Sequence, residues 1–245
     1  MRTADFVAKL SAMPDDFIRH RWSRSIWWGT VVLGFAYWLG ALARSGIAFH
    51  GLADLPLALL VPWKGACTLG LAVSVALASQ RKPTRLFALA LMISAVADML
   101  LPIGALVLSG LLFSISHLIA IIVFWRNRAG SVSALRRIVA FAVPVLTSGL
   151  SLLALYGTGQ PMIFVLYPFL SGIMATTAIL SRFPIWLSGL GAAIFVCSDV
   201  LVLAWMGVWE RDNSFNFLAW LTYFGGYALL ARGAMLAAAQ PDQLR

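Results

Sequence analysis

Residues 86–125 read LFALALMISAVADMLLPIGALVLSGLLFSISHLIAIIVFW, and Asp98 is the only charged side chain among them. The stretch is too long for one membrane crossing, which needs about 20 apolar residues. Pro102 and Gly104 interrupt it near the middle, so it predicts two transmembrane helices joined by a tight turn. In lipid, a helix satisfies its own backbone polar groups. The stretch therefore predicts an all-α, polytopic membrane protein.

The rest of the chain repeats this pattern. Of its 245 residues, 61% are hydrophobic and 11% are charged, whereas soluble domains have roughly 25% charged residues. Charged residues and a break at 157–161 delimit six further apolar segments, so the sequence predicts a bundle of eight transmembrane helices. The six segments lie at 25–43, at 55–80, on either side of the break within 138–181, at 183–209 and at 213–231.

The distribution of Lys and Arg predicts the orientation. An even number of crossings places both termini on one side, and fifteen Lys and Arg residues flank that side, against Arg44 and Arg211 on the other. By the positive-inside rule, both termini are cytoplasmic. Residues 1–24 then form a basic cytoplasmic leader, 25–238 the transmembrane domain and 239–245 a short cytoplasmic tail. For the leader, an interfacial helix and a solvated tail both remain open.

Four ionisable side chains interrupt the apolar segments, namely Lys64, Asp98, His117 and Asp199. A charge near the bilayer centre costs at least about 2.5 to 3.5 kcal/mol, so such residues are rarely incidental. Helix rise places Asp98 roughly 20 Å and Asp199 roughly 24 Å from the cytoplasmic side, and Lys64 about 15 Å from the other. We therefore expect one polar site near the middle of the membrane, with His117 somewhat closer to the cytoplasm.

Two carboxylates in a low-dielectric site disfavour ionisation, so one is expected to hold a proton at neutral pH. The protonated carboxyl can then donate a proton while the ionised one activates water. Lys64 would stabilise the ionised carboxylate or bind phosphate, and His117 would orient water or carry protons. Structural interpretations also stay open: Lys64 as a tether between helices, His117 as a satisfied core residue, and the tyrosines as packing residues.

Other site chemistries fit less well. His117, Asp98 and Asp199 barely reach the three protein ligands of a zinc site, and Lys64 would oppose a cation. We therefore expect no metal and no cofactor, and a metal site at these three residues stays a minority alternative. Cys67 and Cys197 lie within apolar segments and are interpreted as packed thiols. The basic residues behind the net charge of +9 lie at the ends of the apolar segments, where membrane topology explains them. No nucleic-acid partner is therefore expected. No protein partner is evident.

Four stretches carry a resemblance to a known family. They are Trp63-Lys64, SAVAD at 94–98, GLLFSISH at 110–117 and GAAIFVCSD at 191–199. With them the chain resembles the YhhN family of eight-helix membrane proteins, which includes the animal lysoplasmalogenases. The resemblance runs from the second predicted helix to the eighth, and the stretch at 191–199 is its most specific part. It implies a multi-pass protein, expected in the bacterial inner (plasma) membrane.

The resemblance implies hydrolysis of the vinyl ether bond of a lysoplasmalogen, with an ethanolamine or choline headgroup, to a fatty aldehyde and a glycerophospho-headgroup. The lysophospholipid would reach the site sideways from the bilayer. Asp98 is predicted as the acid and Asp199 as the base, with the reverse assignment left open, and His117 assists. The residues predicted to bind substrate are Lys64, Tyr167, Ser198, Tyr223 and Tyr227.

Two other functions use the same residues. A proton-coupled transporter of small molecules or lipids would also place Asp, Lys and His in the membrane, and inverted repeats would favour it. No repeat is visible in the sequence. A non-enzymatic lipid-binding or scaffold protein would tolerate loss of the aspartates. Turnover distinguishes these functions, because only the enzyme releases aldehyde in detergent, whereas a transporter needs a sealed vesicle.

Overall fold

The structure, a computed structural model, describes residues 15–210 and 212–239. Within these residues the chain forms eight α-helices and no strand, which confirms the all-α prediction. The helices are α1 Asp15–Arg44, α2 Leu57–Ala78, α3 Lys82–Leu100, α4 Leu106–Arg126, α5 Ala134–Leu155, α6 Leu166–Ile179, α7 Leu190–Met206 and α8 Asn216–Ala239. A π-helical turn, Ile185–Gly189, leads directly into α7.

Six helical segments of the described chain are long and apolar enough to cross a membrane, so the chain is an integral, multi-pass membrane protein. They are Arg19–Arg44, Leu57–Ala78, Lys82–Leu100, Leu106–Arg126, Ala134–Leu155 and Ile185–Met206. The outward faces are apolar as well: on α5, Leu135, Val145 and Leu153 are 71%, 70% and 69% exposed. The eight membrane crossings and the cytoplasmic location of both termini stay predictions from the sequence.

Helix α6 is shorter than the sequence predicts. It has 14 residues, or about 21 Å, fewer than the roughly 20 apolar residues that a membrane crossing needs. Arg136 stabilises its end. The guanidinium donates hydrogen bonds to the carbonyl oxygens of Ile179 (2.6 Å) and Ser181 (2.7 Å), so backbone groups at this end are satisfied within the protein.

Helix α8 lies at the centre of the fold and packs against α1, α2, α3 and α7. Two indole hydrogen bonds fix its direction relative to α1: Trp27 Nε1 donates to the Ala228 carbonyl oxygen, and Trp220 Nε1 donates to the Gly34 carbonyl oxygen, both at 3.0 Å. The two helices are therefore antiparallel. The start of α1 and the end of α8 share one end of the bundle, called the terminal end below.

Glycines allow the helices around the site to approach closely. A Cβ on Gly226 would lie 2.7 Å from the Gly191 carbonyl oxygen, and one on Gly191 would lie 2.8 Å from the Gly226 carbonyl oxygen. Helices α7 and α8 thus cross backbone to backbone, as small residues permit in membranes. A Cβ on Gly65 would lie 2.5 Å from Met99 Cγ. This close approach of α2 to α3 brings Lys64 near Asp98.

The predicted leader overlaps the first helix. Residues 15–24 are the first turns of α1, so the described helix continues through the predicted boundary at residue 24. Residues 1–14, Arg211 and residues 240–245 lie outside the described residues. The choice between an interfacial helix and a solvated tail for the leader therefore stays a prediction, as does the tail at 239–245.

Candidate active site

Asp98 is held by side chains from two neighbouring helices. It is fully buried near the end of α3. Thr68 and Tyr223 donate hydrogen bonds to its Oδ2 at 2.5 and 2.6 Å, and Lys64 Nζ lies 3.5 Å from its Oδ1. Lys64 and Thr68 are one turn apart on α2. A nearby cation and two donors stabilise an ionised carboxylate.

Lys64 forms the only ion pair found between described residues. Its side chain is 13% exposed, and its ammonium lies 5.8 Å from the ring centre of Trp220 and 5.9 Å from that of Tyr223. Since the pair joins α2 to α3, the tether interpretation and a role in the site are both consistent with this geometry.

Asp199 has different surroundings. It is 3% exposed on α7, and Tyr167 donates a hydrogen bond to its Oδ1 at 2.7 Å. Its Oδ2 has no hydrogen-bond partner among the described residues. Ser171 is close to this carboxylate, but its hydroxyl donates to the Pro168 carbonyl oxygen at 3.1 Å. No described Lys, Arg or His nitrogen lies within 4.0 Å of it.

Aromatic rings lie between the two tyrosines that donate to the carboxylates. The Phe113 ring centre is 6.2 Å from that of Tyr167 and 6.0 Å from that of Tyr223. Phe195 lies 5.4 Å from Tyr223 and 4.4 Å from Tyr227. The structure thus joins Asp98 to Lys64 directly, whereas Asp199 belongs to the same cluster through the aromatic rings.

His117 is buried next to Tyr167, the tyrosine that donates a hydrogen bond to Asp199. Its ring centre lies 5.5 Å from that of Tyr167 and 5.3 Å from that of Phe195, edge to face in both cases. Neither ring nitrogen has a hydrogen-bond partner among the described residues. The Phe113 backbone, one turn earlier on α4, is close to the imidazole, and buried polar atoms are rarely left without a partner. Whether His117 is a satisfied core residue or a site residue stays a prediction.

The other predicted residues divide into two cases. The Tyr227 hydroxyl is 2.8 Å from Ser94 Oγ, which donates to Ser116 Oγ at 2.8 Å, so these three link α8, α3 and α4. The Ser198 hydroxyl donates within its own helix, to the Phe195 carbonyl oxygen at 2.6 Å. Tyr227 is therefore part of the cluster around the site, while the Ser198 hydroxyl is directed to its helix backbone.

The carboxylates lie in one half of the bundle. Asp98 is two residues from the end of α3, Asp199 seven residues from the end of α7, and Lys64 is the eighth residue of α2. By helix rise, all three are within about 11 Å of the end opposite to the terminal end. His117, eleven residues into α4, is about 17 Å from that end. Lys64, Asp98 and Asp199 thus lie at the same end of the bundle, and His117 lies nearer the terminal end.

An apolar groove of about 410 Å³ lies between α4, α5 and α6, in the other half of the bundle. Ile121 on its wall is one turn beyond His117 on α4, so groove and site share one helix. No charged side chain lines the groove. Its lining residues are Ile121, Trp125, Phe141, Pro144, Ile173, Thr176 and Thr177.

Sequence reasoning missed the aromatic rings of the site. Phe113 lies four residues before His117, and Phe195 lies four residues before Asp199, so each shares a helix face with a predicted site residue. That spacing was the available signal. No group of three His, Cys, Asp or Glu residues within the described parts of the chain is arranged to hold a metal ion.

A model of the YhhN family matches residues 59–234. The match covers well over half of the chain and contains every site residue described above. It begins within α2 and leaves out α1. Comparisons with curated proteins and with solved structures gave no match.

Proposed function

Since the chain belongs to the YhhN family, we propose that it is a membrane-embedded hydrolase of lysoplasmalogens with an ethanolamine or choline headgroup. The reaction consumes one water and yields a fatty aldehyde and a glycerophospho-headgroup. One observation carries this proposal: two buried carboxylates, Asp98 and Asp199, have unlike surroundings within one aromatic cluster. An acid and a base at the same pH require such unlike surroundings.

The surroundings favour Asp98 as the base and Asp199 as the acid. Asp98 has the Lys64 ammonium at 3.5 Å and two hydroxyl donors, all of which stabilise the negative charge. Asp199 has one hydroxyl donor and no cation within 4.0 Å, and burial disfavours a charge there. From the sequence, Asp98 was predicted as the acid and Asp199 as the base, with the reverse assignment left open. The surroundings favour this reverse assignment.

The proposed steps balance without an oxidant or a reductant. Asp199 gives its proton to the vinyl carbon remote from the ether oxygen, and the double-bond electrons form the new C–H bond. An oxocarbenium ion results, as in glycoside hydrolysis. Asp98 takes a proton from water as the water oxygen adds to this ion. The hemiacetal then collapses: Asp98 protonates the departing glycerol oxygen, and the hemiacetal hydroxyl proton returns to Asp199.

The neighbouring side chains suit a cationic transition state. Rings of Phe113 and Phe195 offer π faces that attract positive charge, and they keep bulk water away from the oxocarbenium ion. His117, buried against Tyr167 and Phe195, would position the attacking water. Tyr167 fixes the orientation of Asp199 through its 2.7 Å hydrogen bond.

The apolar groove would hold the alkyl chain. It is lined by α4, α5 and α6, and its wall at Ile121 is one turn from His117. A chain attached to the reacting vinyl group can follow α4 from His117 towards Trp125, about 12 Å by helix rise. The substrate could thus enter sideways without leaving the bilayer.

Aldehyde release from lysoplasmenylethanolamine by the purified protein in detergent tests this proposal. The saturated 1-O-alkyl analogue is the control, because it has no double bond to protonate and must not react. In heavy water, rapidly trapped aldehyde must carry one deuterium beside the carbonyl carbon. Release of no aldehyde from either headgroup class would refute the hydrolase. A transport assay in sealed vesicles would then test the proton-coupled transporter.

A further inference from the structure

The side chain of Arg44 at the end of α1 folds back along its own helix. Its guanidinium carbon lies 5.5 Å from the ring centre of Tyr37, two turns back along the helix, and its Nη1 would lie 3.5 Å from a Cβ on Gly40. That Nη1 is buried and has no hydrogen-bond partner among the described residues. Long cationic side chains near membrane helix ends normally extend to the interface, so this folded-back arrangement with a buried, unpaired Nη1 calls for a ligand.

The end of α1 does not require Arg44 as a cap. The Ala41 carbonyl oxygen accepts hydrogen bonds from the Ser45 amide and hydroxyl, both at 3.0 Å. The carbonyl oxygens of Ala43 and Leu42 accept from the amides of Gly46 (3.0 Å) and Ile47 (3.2 Å). No described carboxylate lies within 4.0 Å of the guanidinium either. Neither capping nor an ion pair accounts for its position.

One aromatic cluster joins Arg44 to the active site. Tyr37, beneath the guanidinium, lies 4.5 Å from Trp220 and 5.6 Å from Trp63, measured between ring centres. Trp220 in turn contacts the Lys64 ammonium, at 5.8 Å. Two cations therefore border the same aromatic cluster. Lys64 is paired with Asp98, while Arg44 has no anionic partner among the described residues.

We propose that Arg44 binds the phosphate of a lysophospholipid headgroup at the end of the bundle opposite to the terminal end. The guanidinium fork matches phosphate oxygens in a bidentate geometry, and Lys64 adds positive potential nearby. The alkyl chain then points towards the groove in the other half of the bundle, with the reacting bond at the carboxylates between them. The identity of the lipid rests on the proposed function. The recognition of its phosphate rests on Arg44 alone.

Binding of non-reacting probes tests the subsite independently of turnover. The probes are 1-O-alkyl-lysophosphatidylethanolamine and 1-O-alkylglycerol of the same chain length, titrated into purified protein in nanodiscs and followed by tryptophan fluorescence. Arg44→Gln is expected to weaken binding of the phosphate-bearing probe about tenfold, or 1.4 kcal/mol, and to leave alkylglycerol binding unchanged. Arg44→Lys is expected to retain part of the affinity.

Arg232→Gln is the matched control, because Arg232 also lies over an indole, Trp27 at 5.6 Å, but at the terminal end. It is expected to bind both probes like the wild type. Equal affinity of Arg44→Gln and wild type for the phosphate probe would overturn the proposal, as would an equal loss for both probes. Inorganic phosphate that competes as strongly as the lipid would overturn the headgroup assignment. Wild-type protein that binds through Arg44 but releases no aldehyde would refute only the proposed function.

Discussion

Gly226→Ala is expected to destabilise the protein, because the crossing of α7 and α8 leaves no room for a methyl group. The new Cβ would lie 2.7 Å from both the Gly191 carbonyl oxygen and the Phe195 amide nitrogen. Ordinary Cβ contacts begin at 3.4 Å, so the helices must separate by about 0.7 Å. All the nearest atoms are backbone, and no side-chain rotation relieves the clash.

Overpacking of this kind costs about 1–3 kcal/mol. In a chain of this length each kcal/mol corresponds to about 2–4 °C in Tm, so the Tm is expected to fall by about 2–12 °C. Turnover is expected to fall as well, since Phe195 and Tyr227 stack across this crossing with ring centres 4.4 Å apart.

Thermal unfolding in detergent, followed by tryptophan fluorescence, measures the effect. Gly225→Ala is the matched control: it lies one residue away on the same helix, and its added Cβ would meet no atom within 4 Å. Because Ala favours helix over Gly by about 1 kcal/mol, this variant is expected to be as stable as the wild type or slightly more so. A Gly226→Ala protein as stable as Gly225→Ala would refute the backbone crossing.

Three further predictions concern the site and the groove. Tyr223→Phe and Thr68→Val each remove one donor to Asp98 Oδ2, and each is expected to lower kcat about tenfold for a loss of about 1.4 kcal/mol; an unchanged kcat would contradict this role. Ser198→Ala is expected to keep wild-type turnover, because this hydroxyl bonds its own helix, and a severe loss would show that it contacts substrate. Ile121→Trp fills the groove and is expected to raise KM for long-chain substrates while sparing short-chain ones; equal effects on both would place the chain elsewhere.

Much of the fold follows from the sequence, because lipid penalises charge and unpaired backbone. The apolar stretch 86–125, in which Asp98 is the only charged residue and Pro102 lies near the middle, therefore predicted α3, α4 and the turn between them. Lys64 and Asp98 were expected to meet, since charges in a membrane need partners. Their 3.5 Å separation agrees with that expectation.

Helix rotation and exact pairing could not be predicted in this way. A small residue such as Gly191 shows that a helix has a close neighbour, but its contact with Gly226 depends on the whole bundle. The same holds for the tyrosine that bonds Asp199 and for the folded-back side chain of Arg44. The end of α6 is bonded by Arg136 of α5 at the Ile179 carbonyl oxygen. Such long-range contacts leave no local sequence pattern.

Aldehyde release by wild type, Asp98→Asn and Asp199→Asn, measured side by side with lysoplasmenylethanolamine, tests the central claim most directly. Ser198→Ala serves as the conservative control beside Asp199, and thermal unfolding verifies that each variant is folded. If both carboxylates carry protons in the reaction, each Asn variant loses about 10²- to 10⁴-fold in rate, while Ser198→Ala retains activity. A folded Asp98→Asn or Asp199→Asn protein that releases aldehyde at the wild-type rate would contradict the two-carboxylate mechanism.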